Sequence, residues 1–250
     1  MIRPDTNTES SSALSRTVRP WRSEVARRHP KAYLAAHVLG GGAAVAVLIW
    51  LFLAIADEFP EHGALAHLDR LASAWLQAHG TELGETIFYA ISTLGAPVLV
   101  GIIAVVFVLL LRKRDWADAA GLVCASGGAI LLDTALKSLF HRGRPDVATE
   151  FIHRASWSFP SGHAMESLVG YGFLTWLLLQ HVQRLAWRRT AVIACVVLVG
   201  LIGFSRVYLG VHYVSDVLGG YVAGGAWLVI TITGCAFAKR RISATRDAAP

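Results

Sequence analysis

The stretch "SFPSGHAMESLVGYGFLTWLLLQ", residues 158–180, joins a polar, glycine-bearing entry to a long apolar run. Ser161, Gly162, His163 and Glu166 crowd the mouth of a segment that is otherwise greasy. An apolar run of about 20 residues, wound as a helix, is what a hydrocarbon layer of ~30 Å demands. The whole chain repeats that pattern. Of its 250 residues 54% are hydrophobic and only 16% charged, against about 25% charged in ordinary soluble domains. Mean hydropathy is +0.50. Six stretches are candidate spans: roughly 33–56, 85–111, 117–140, 163–182, 190–208 and 214–238. The expected fold is an all-α membrane protein, a bundle of six transmembrane helices, with membrane domain 32–238 and tails over 1–31 and 239–250. No internal repeat stands out.

A net charge of +6 invites a nucleic-acid reading, but the placement of the charges opposes it. Arg16, Arg19, Arg22, Arg27, Arg28 and Lys31 precede the first span. Arg112, Lys113 and Arg114 follow the second, Arg184, Arg188 and Arg189 follow the fourth, and Lys239, Arg240 and Arg241 follow the sixth. In a six-span layout all these clusters share one side, which the positive-inside rule makes the cytoplasm. Both termini are then expected inside, and residues 142–160 and 209–213 outside. The outer loops include the acids Asp57, Glu58, Glu61 and Asp69. The partner implied is a lipid bilayer, with no nucleic acid.

Residues 1–31, rich in Ser, Thr and Arg, read as a disordered cytoplasmic tail. Ala54-Ile55-Ala56 mimics a signal cleavage site, but the leader is long and the apolar run exceeds the 7–15 residues of a signal core; a retained span is expected. Cys124, Cys195 and Cys235 all fall within spans, so a disulfide framework has no support. Between the first two spans, Leu65, Leu68, Leu71, Ala72, Trp75 and Leu76 recur at helical spacing, with His67, Asp69, Arg70 and Gln77 across from them. That predicts a short amphipathic helix on the outer interface. Gly80 is a natural stop and Thr81 a natural cap. Gly95-Ala96-Pro97 should break the next segment, and the piece before it need not span.

Three polar stretches collect at the outer rim: "KSLFHRGRP" (137–145), "PSGHAME" (160–166) and "SRVYLGVHYVSD" (205–216). Lys137, Arg142, Arg144, Ser161, His163, Glu166, Arg206, His212 and Asp216 are their chemistry-bearing side chains. Guanidinium forks suit phosphate oxygens. The entry Pro160-Ser161-Gly162 opens a helix whose first amides attract an anion, and glycine admits close approach. His212 and Asp216, four apart, share a helical face, so the carboxylate can orient the imidazole. His163 offers a second imidazole for proton transfer. Each residue alone has a blander reading: rim cations snorkel to headgroups, loop histidines are solvated, and Asp216 caps a helix. Their arrival on one face, deduced from charges elsewhere, favours an anion site built for phosphoryl transfer.

These residues also carry a resemblance. The chain is similar to the type 2 phosphatidic acid phosphatase family, membrane relatives of the vanadium haloperoxidases. The family's K-x6-R-P is met by Lys137 and Arg144-Pro145, its P-S-G-H by Pro160 to His163, and its S-R-x5-H-x3-D by Ser205-Arg206, His212 and Asp216. The resemblance covers roughly residues 117–238. It implies a metal-independent hydrolase of lipid phosphates or diphosphates, with no cofactor, such as one acting on undecaprenyl diphosphate, phosphatidate, phosphatidylglycerol phosphate or lipid A phosphates. It implies His212 as the nucleophile that forms a phosphohistidine, Asp216 as its orienting carboxylate and His163 as the acid. Lys137, Arg144, Ser161, Gly162 and Arg206 would bind the phosphoryl oxygens. The active site is then expected on the outer face of the cytoplasmic membrane. Glu166 lies outside the signature. It either tunes His163 or bonds a neighbouring helix. Asp133, four before Lys137, is expected to pair with it. Two alternatives use the same cradle: a phosphotransferase, and a lipid-phosphate binder or transporter. Transport needs polar residues along a path, and here they gather on one face.

Overall fold

A computed structural model describes residues 30–57, 63–145 and 157–247. Apart from Pro30 and Lys31, the expected N-terminal tail lies outside the described residues, as do Glu58, Glu61 and positions 146–156 of the expected outer loop. Among the described residues there are eight helices and no strand. They are α1 (Pro30–Asp57), α2 (Ala64–His79), α3 (Glu82–Thr93), α4 (Pro97–Arg112), α5 (Trp116–Phe140), α6 (Gly162–His181), α7 (Leu185–Tyr208) and α8 (Val214–Asp247). Residues 1–43 and 44–250 are two compact units. The first holds the start of α1, and the second holds the rest of the described helices.

Five stretches of the described residues are long and apolar enough to cross a membrane: Val38–Asp57, Glu82–Arg112, Trp116–Phe140, Leu185–Tyr208 and Val214–Ile242. The predicted fourth span, α6, is not among them. Its 20 residues reach about 30 Å, but His163, Glu166, Ser167 and three glycines dilute its apolar character. The outward surface of the bundle is greasy: Trp50 is 66% exposed, Leu131 73% and Val196 65%. In water such a surface would aggregate; against lipid tails it has nothing to lose. The protein is a multi-pass, all-helical membrane protein.

The predicted break falls where the sequence puts it. α3 ends at Thr93, and Pro97 opens α4 at its first position, where its missing N–H costs nothing. Tyr171 Oη donates to the Leu94 carbonyl at 2.7 Å, satisfying an acceptor that the break exposes. A Cβ on Gly95 would stand 2.6 Å from Ile202 Cγ2 and 3.3 Å from His163 Cδ2, so the bare backbone lets this break press against the polar rim. Thr81 caps α3 as expected, its Oγ1 accepting from Gly84 N at 3.1 Å.

Helices α5, α6, α7 and α8 alternate in direction, which brings their polar ends together. At one end, Lys239 of α8 pairs with Asp118 of α5 at 2.6 Å and donates to Gln180 of α6 at 2.7 Å. The α8 helix continues past this pair to Asp247. Leu122, Ala125 and Ala129 of α5 meet Met165, Val169 and Phe173 of α6 in the core, with Ala223 and Cys235 of α8. Phe159 is sealed by Phe52 and Phe140, ring centroids 5.3 and 5.2 Å away, and this aromatic trio anchors the entry to α6. The three cysteines are free thiols.

The contact between α6 and α8 is close because α8 is small there. A Cβ on Gly220 would lie 2.6 Å from the Ser161 carbonyl oxygen, a backbone atom that cannot swing aside. Gly200, also in a helix interior, faces nothing within 4 Å. Gly220→Ala should therefore destabilise by about 1–3 kcal/mol through overpacking. Gly200→Ala should stabilise by up to about 1 kcal/mol through helix propensity. Unfolding midpoints of both variants in one detergent test this. Equal shifts would mean the α6–α8 contact is not tight.

Candidate active site

The end of the bundle opposite Lys239 collects the C-terminus of α5, the entry to α6, the C-terminus of α7 and the start of α8. Every signature residue lies there. His212 follows a tight turn after α7 that runs through Gly210, whose φ is 65°. Its N–H and that of Val211 both donate to the Arg206 carbonyl at 3.2 Å. The imidazole is 3% exposed. Its Nδ1 stands 3.4 Å from Asp216 Oδ2 without a well-aligned hydrogen bond, and its Nε2 stands 3.4 Å from an Arg144 nitrogen. Arg144 is held in turn by donating to the Val211 carbonyl at 2.8 Å. The carboxylate thus faces Nδ1, leaving Nε2 toward the cations.

Asp216 is fully buried. Its Oδ2 accepts from Tyr213 N at 2.9 Å and its Oδ1 from Arg142 at 2.6 Å. The backbone carbonyl of Asp216 accepts from Ser161 N at 2.9 Å, which ties the entry of α6 to the first turn of α8. His163 is half-buried one residue into α6. Arg206, His212, Lys137 and Arg144 all lie within electrostatic reach of it. Lys137 pairs with Asp133 at 2.7 Å, as the spacing predicts. A Cβ on Gly162 would come within 3.1 Å of Lys137 Nζ and 2.9 Å of Asp133 Oδ2, so glycine here lets cation and helix entry meet. Glu166 lies one turn further along α6, within electrostatic reach of Asp133 and Lys137.

Among the described residues, five buried side-chain polar atoms lack a hydrogen-bond partner. Four of them belong to this cluster: Ser161 Oγ, Arg206 Nε, His212 Nδ1 and Asp133 Oδ1. A buried polar group left without a partner costs roughly 1–3 kcal/mol. Their concentration in one place sets this end of the bundle apart from the rest of the described residues. No group of three His, Cys, Asp or Glu side chains among the described residues is placed to hold a metal ion.

The structure adds residues that the signature lacks. Arg142, at an unspecified position of the first motif, bridges three oxygens: Ser215 Oγ at 2.6 Å, Asp216 Oδ1 at 2.6 Å and Asp69 Oδ2 at 2.9 Å. The helical spacing puts Asp69 on the polar face of an interfacial helix, together with His67 and Arg70. Yet it is 2% exposed and points into the bundle, while Leu68, Leu71 and Trp75 of the same helix are exposed. His67 and Arg70 of the polar set remain exposed, so Asp69 departs from them, because a buried cation and an unsatisfied helix start claim its carboxylate. Ser92 of α3 accepts from Arg206. Nothing in the local sequence around Asp69 or Ser92 announces these long-range partners.

The described residues form a helical membrane bundle with a buried cluster of two histidines, cations and carboxylates at one end. Residues 118–240 match the PAP2 superfamily. The chain is 40% identical over 113 residues to phosphatidylglycerophosphatase B of Bacillus subtilis (strain 168), covering 45% of this chain and 55% of that one. It is 36% identical over 118 residues to lipid A 1-phosphatase of Rhizobium johnstonii, covering 44% and 43%. The fold superposes on the crystal structure of the first transmembrane PAP2-type phosphatidylglycerolphosphate phosphatase from Bacillus subtilis. There the TM-score is 0.69 and the identity 30%, with 78% of this chain and 96% of that chain covered. The chain belongs to the PAP2 superfamily. Its match spans about half the length of the curated relatives.

Burial lowers the pKa of His212 to about 4, against a smaller opposing pull from the Asp216 carboxylate. The unfolded chain protonates this histidine near 6.5, so between those values the unfolded state binds the extra proton. Stability from this group is therefore lost as pH falls from about 6.5 toward 4. The ¹⁵N signal of His212, assigned with the His212→Ala spectrum, should titrate near pH 4 in the folded protein. In Asp216→Asn, which removes the opposing pull, its midpoint should move lower still. A midpoint near 6.5 in the wild type would mean the imidazole is solvated.

Proposed function

We propose that this chain hydrolyses phosphate monoesters or diphosphates of membrane lipids through a phosphohistidine on His212. The single observation that carries the reading is the orientation of His212: a carboxylate on its Nδ1 side, cations on its Nε2 side, and a second histidine within reach. In the first step Nε2 attacks phosphorus, and the bond from phosphorus to the lipid oxygen breaks. His163 delivers a proton to that oxygen as it leaves. Asp216 stabilises the charge that grows on the His212 ring. In the second step water attacks the phosphohistidine, His163 takes the water's proton, and the phosphorus–nitrogen bond breaks to release phosphate. Lys137, Arg144, Arg206, Ser161 and the amide at Gly162 surround the phosphoryl oxygens. Donors already oriented toward developing charge need no reorganisation when it appears.

The lipid nature of the substrate is supported by the greasy outer surface and by relatives whose names specify lipid phosphates. We read α6 as a sixth span, since it lies antiparallel between α5 and α7 despite its polar entry. The basic runs Arg112–Arg114, Arg184–Arg189 and Lys239–Arg241 then occupy the cytoplasmic end, and the site opens at the opposite surface. Cysteines introduced at positions 184 and 209 should divide accordingly. In intact cells an impermeant thiol reagent should label position 209 and spare 184. The reverse pattern would invert the topology.

The decisive experiment compares wild type, His212→Ala and His163→Ala on phosphatidate, undecaprenyl diphosphate and p-nitrophenyl phosphate, with and without EDTA. Wild type should release phosphate from at least one lipid, and EDTA should not stop it. His212→Ala should be inert on all three, since nothing replaces the attacking atom. General acid catalysis contributes about 10²–10⁴-fold. His163→Ala should therefore lose far more on the alkyl ester, a poor leaving group, than on the aryl ester. Equal losses on both would remove His163 as the acid, and acid-labile phosphoenzyme in His212→Ala would remove the nucleophile assignment.

A further inference from the structure

Helix α2 reaches the site through one side chain. Its apolar residues divide: Leu68 and Leu71 are exposed, while Ala66 is buried and Ala72 and Leu76 are half-buried beside α7 and α8. Asp69 makes the polar connection. Its Oδ1 accepts from Ser215 N at 3.0 Å, and its Oδ2 from Ser215 Oγ at 2.5 Å and from Arg142 at 2.9 Å.

The start of α8 explains why a carboxylate is needed there. The Tyr213 carbonyl accepts the first helical bond, from Val217 N, so Tyr213 occupies the cap position. A Ser, Thr, Asp or Asn at a cap would satisfy one of the next amides with its own oxygen; the tyrosine side chain does not. Asp216 reaches back to Tyr213 N, half of a capping box. The other half, an acceptor for Ser215 N, comes from Asp69, 146 residues away in sequence. Arg142 then links the two carboxylates, with one nitrogen on Asp216 Oδ1 and the other on Asp69 Oδ2. Its guanidinium also lies over the Tyr213 ring, 4.4 Å from the centroid.

We infer that Asp69 and Arg142 are positioning residues for His212, acting through Ser215 and Asp216. The inference rests on the proposed function, in which His212 is the attacking group. Asp216 sits 3.4 Å from the imidazole it orients. Of the two carboxylate oxygens, Oδ1 is held by Arg142 and Oδ2 by the Tyr213 amide. Without Asp69, the fork of Arg142 is released from one of its two carboxylates and the first turn of α8 loses an amide partner. Either change lets the Asp216 carboxylate rotate and the imidazole drift from its line of attack. A misplacement of about 1 Å from a residue remote from the reacting atoms can cost on the order of 10²-fold in rate. The bilayer-facing helix and the nucleophile are thus mechanically one unit.

The test uses the full chain in detergent–lipid micelles. Asp69→Asn keeps the shape and one acceptor but loses the charge. Arg142→Lys keeps the charge but cannot fork to two carboxylates. Thr81→Ala, which removes the remote cap of α3, controls for general loosening. Steady-state kcat and KM on phosphatidate are measured together with the single-turnover rate of phosphoenzyme formation, each corrected for folded protein. Both site variants should lower kcat and phosphoenzyme formation by about 10- to 100-fold, with KM changed by no more than about 3-fold. The double variant should be little worse than the worse single one, because the two residues act as a unit. Thr81→Ala should keep wild-type kcat. If Asp69→Asn fails to fold, Arg142→Lys decides the matter alone. Wild-type kcat in the folded variants, a loss carried by KM, or an equal loss in Thr81→Ala would overturn the positioning role while leaving the proposed function intact. A wild-type chain inert on every lipid phosphate would overturn the proposed function, and this inference with it.

Discussion

The buried carboxylate of Asp216 is the constraint around which the rest of this end of the bundle is arranged. It is fully removed from solvent, and a bare charge in such a place is untenable unless every lone pair finds a donor. Arg142 and the Tyr213 amide meet that demand, and the imidazole of His212 lies against the remaining side. Each of those donors brings its own segment: Arg142 the exit of α5, Tyr213 the start of α8, His212 the turn after α7. The Asp216 carbonyl draws in the entry of α6 through Ser161 N. Removing one partner from such a buried charged set typically costs about 3–5 kcal/mol, so the same contacts that orient the chemistry also hold the four helix ends together.

That coupling explains the division of labour along the bundle. The end with Lys239, Asp118 and Gln180 is closed by complementary charges. The opposite end holds four cations beside four acids and still leaves four buried polar atoms unsatisfied. A stable fold would not choose the second arrangement for its own sake. Under the proposed function, the acceptor oxygens of a phosphoryl group would take the donors of two of those four atoms, Ser161 Oγ and Arg206 Nε. Burial lowers the proton affinity of His212, so the ring keeps the lone pair that the proposed attack would use.

The helical layout is legible because it is written in local terms. Apolar runs of spanning length, the basic clusters between them, Thr81 as a cap and Pro97 as a break each depend on a few neighbouring residues. The capacity of α6 is the hardest to read, since its polar entry dilutes the very apolar character by which a span is recognised. The amphipathic α2 shows a second limit. Periodicity locates the helix and separates its faces, but it cannot say that Asp69 alone of its charged residues turns inward. That depends on whether lipid or protein offers the better surroundings to each.

Read alone, the residues give the membrane class, most of the helix boundaries, and the polar set that gathers at one end of the bundle. Those follow from composition, from short-range periodicity and from three motifs of fixed spacing: Lys137 to Arg144, Pro160 to His163 and Ser205 to Asp216. Only the tertiary structure decided that Asp69 enters the site, that Arg142 bridges two carboxylates, that Ser92 holds Arg206, and that Gly95 and Gly220 mark the closest approaches. The reason is physical. A hydrogen bond between residues 146 apart leaves no periodic trace in either neighbourhood, and the space a glycine preserves is defined by the neighbour that fills it.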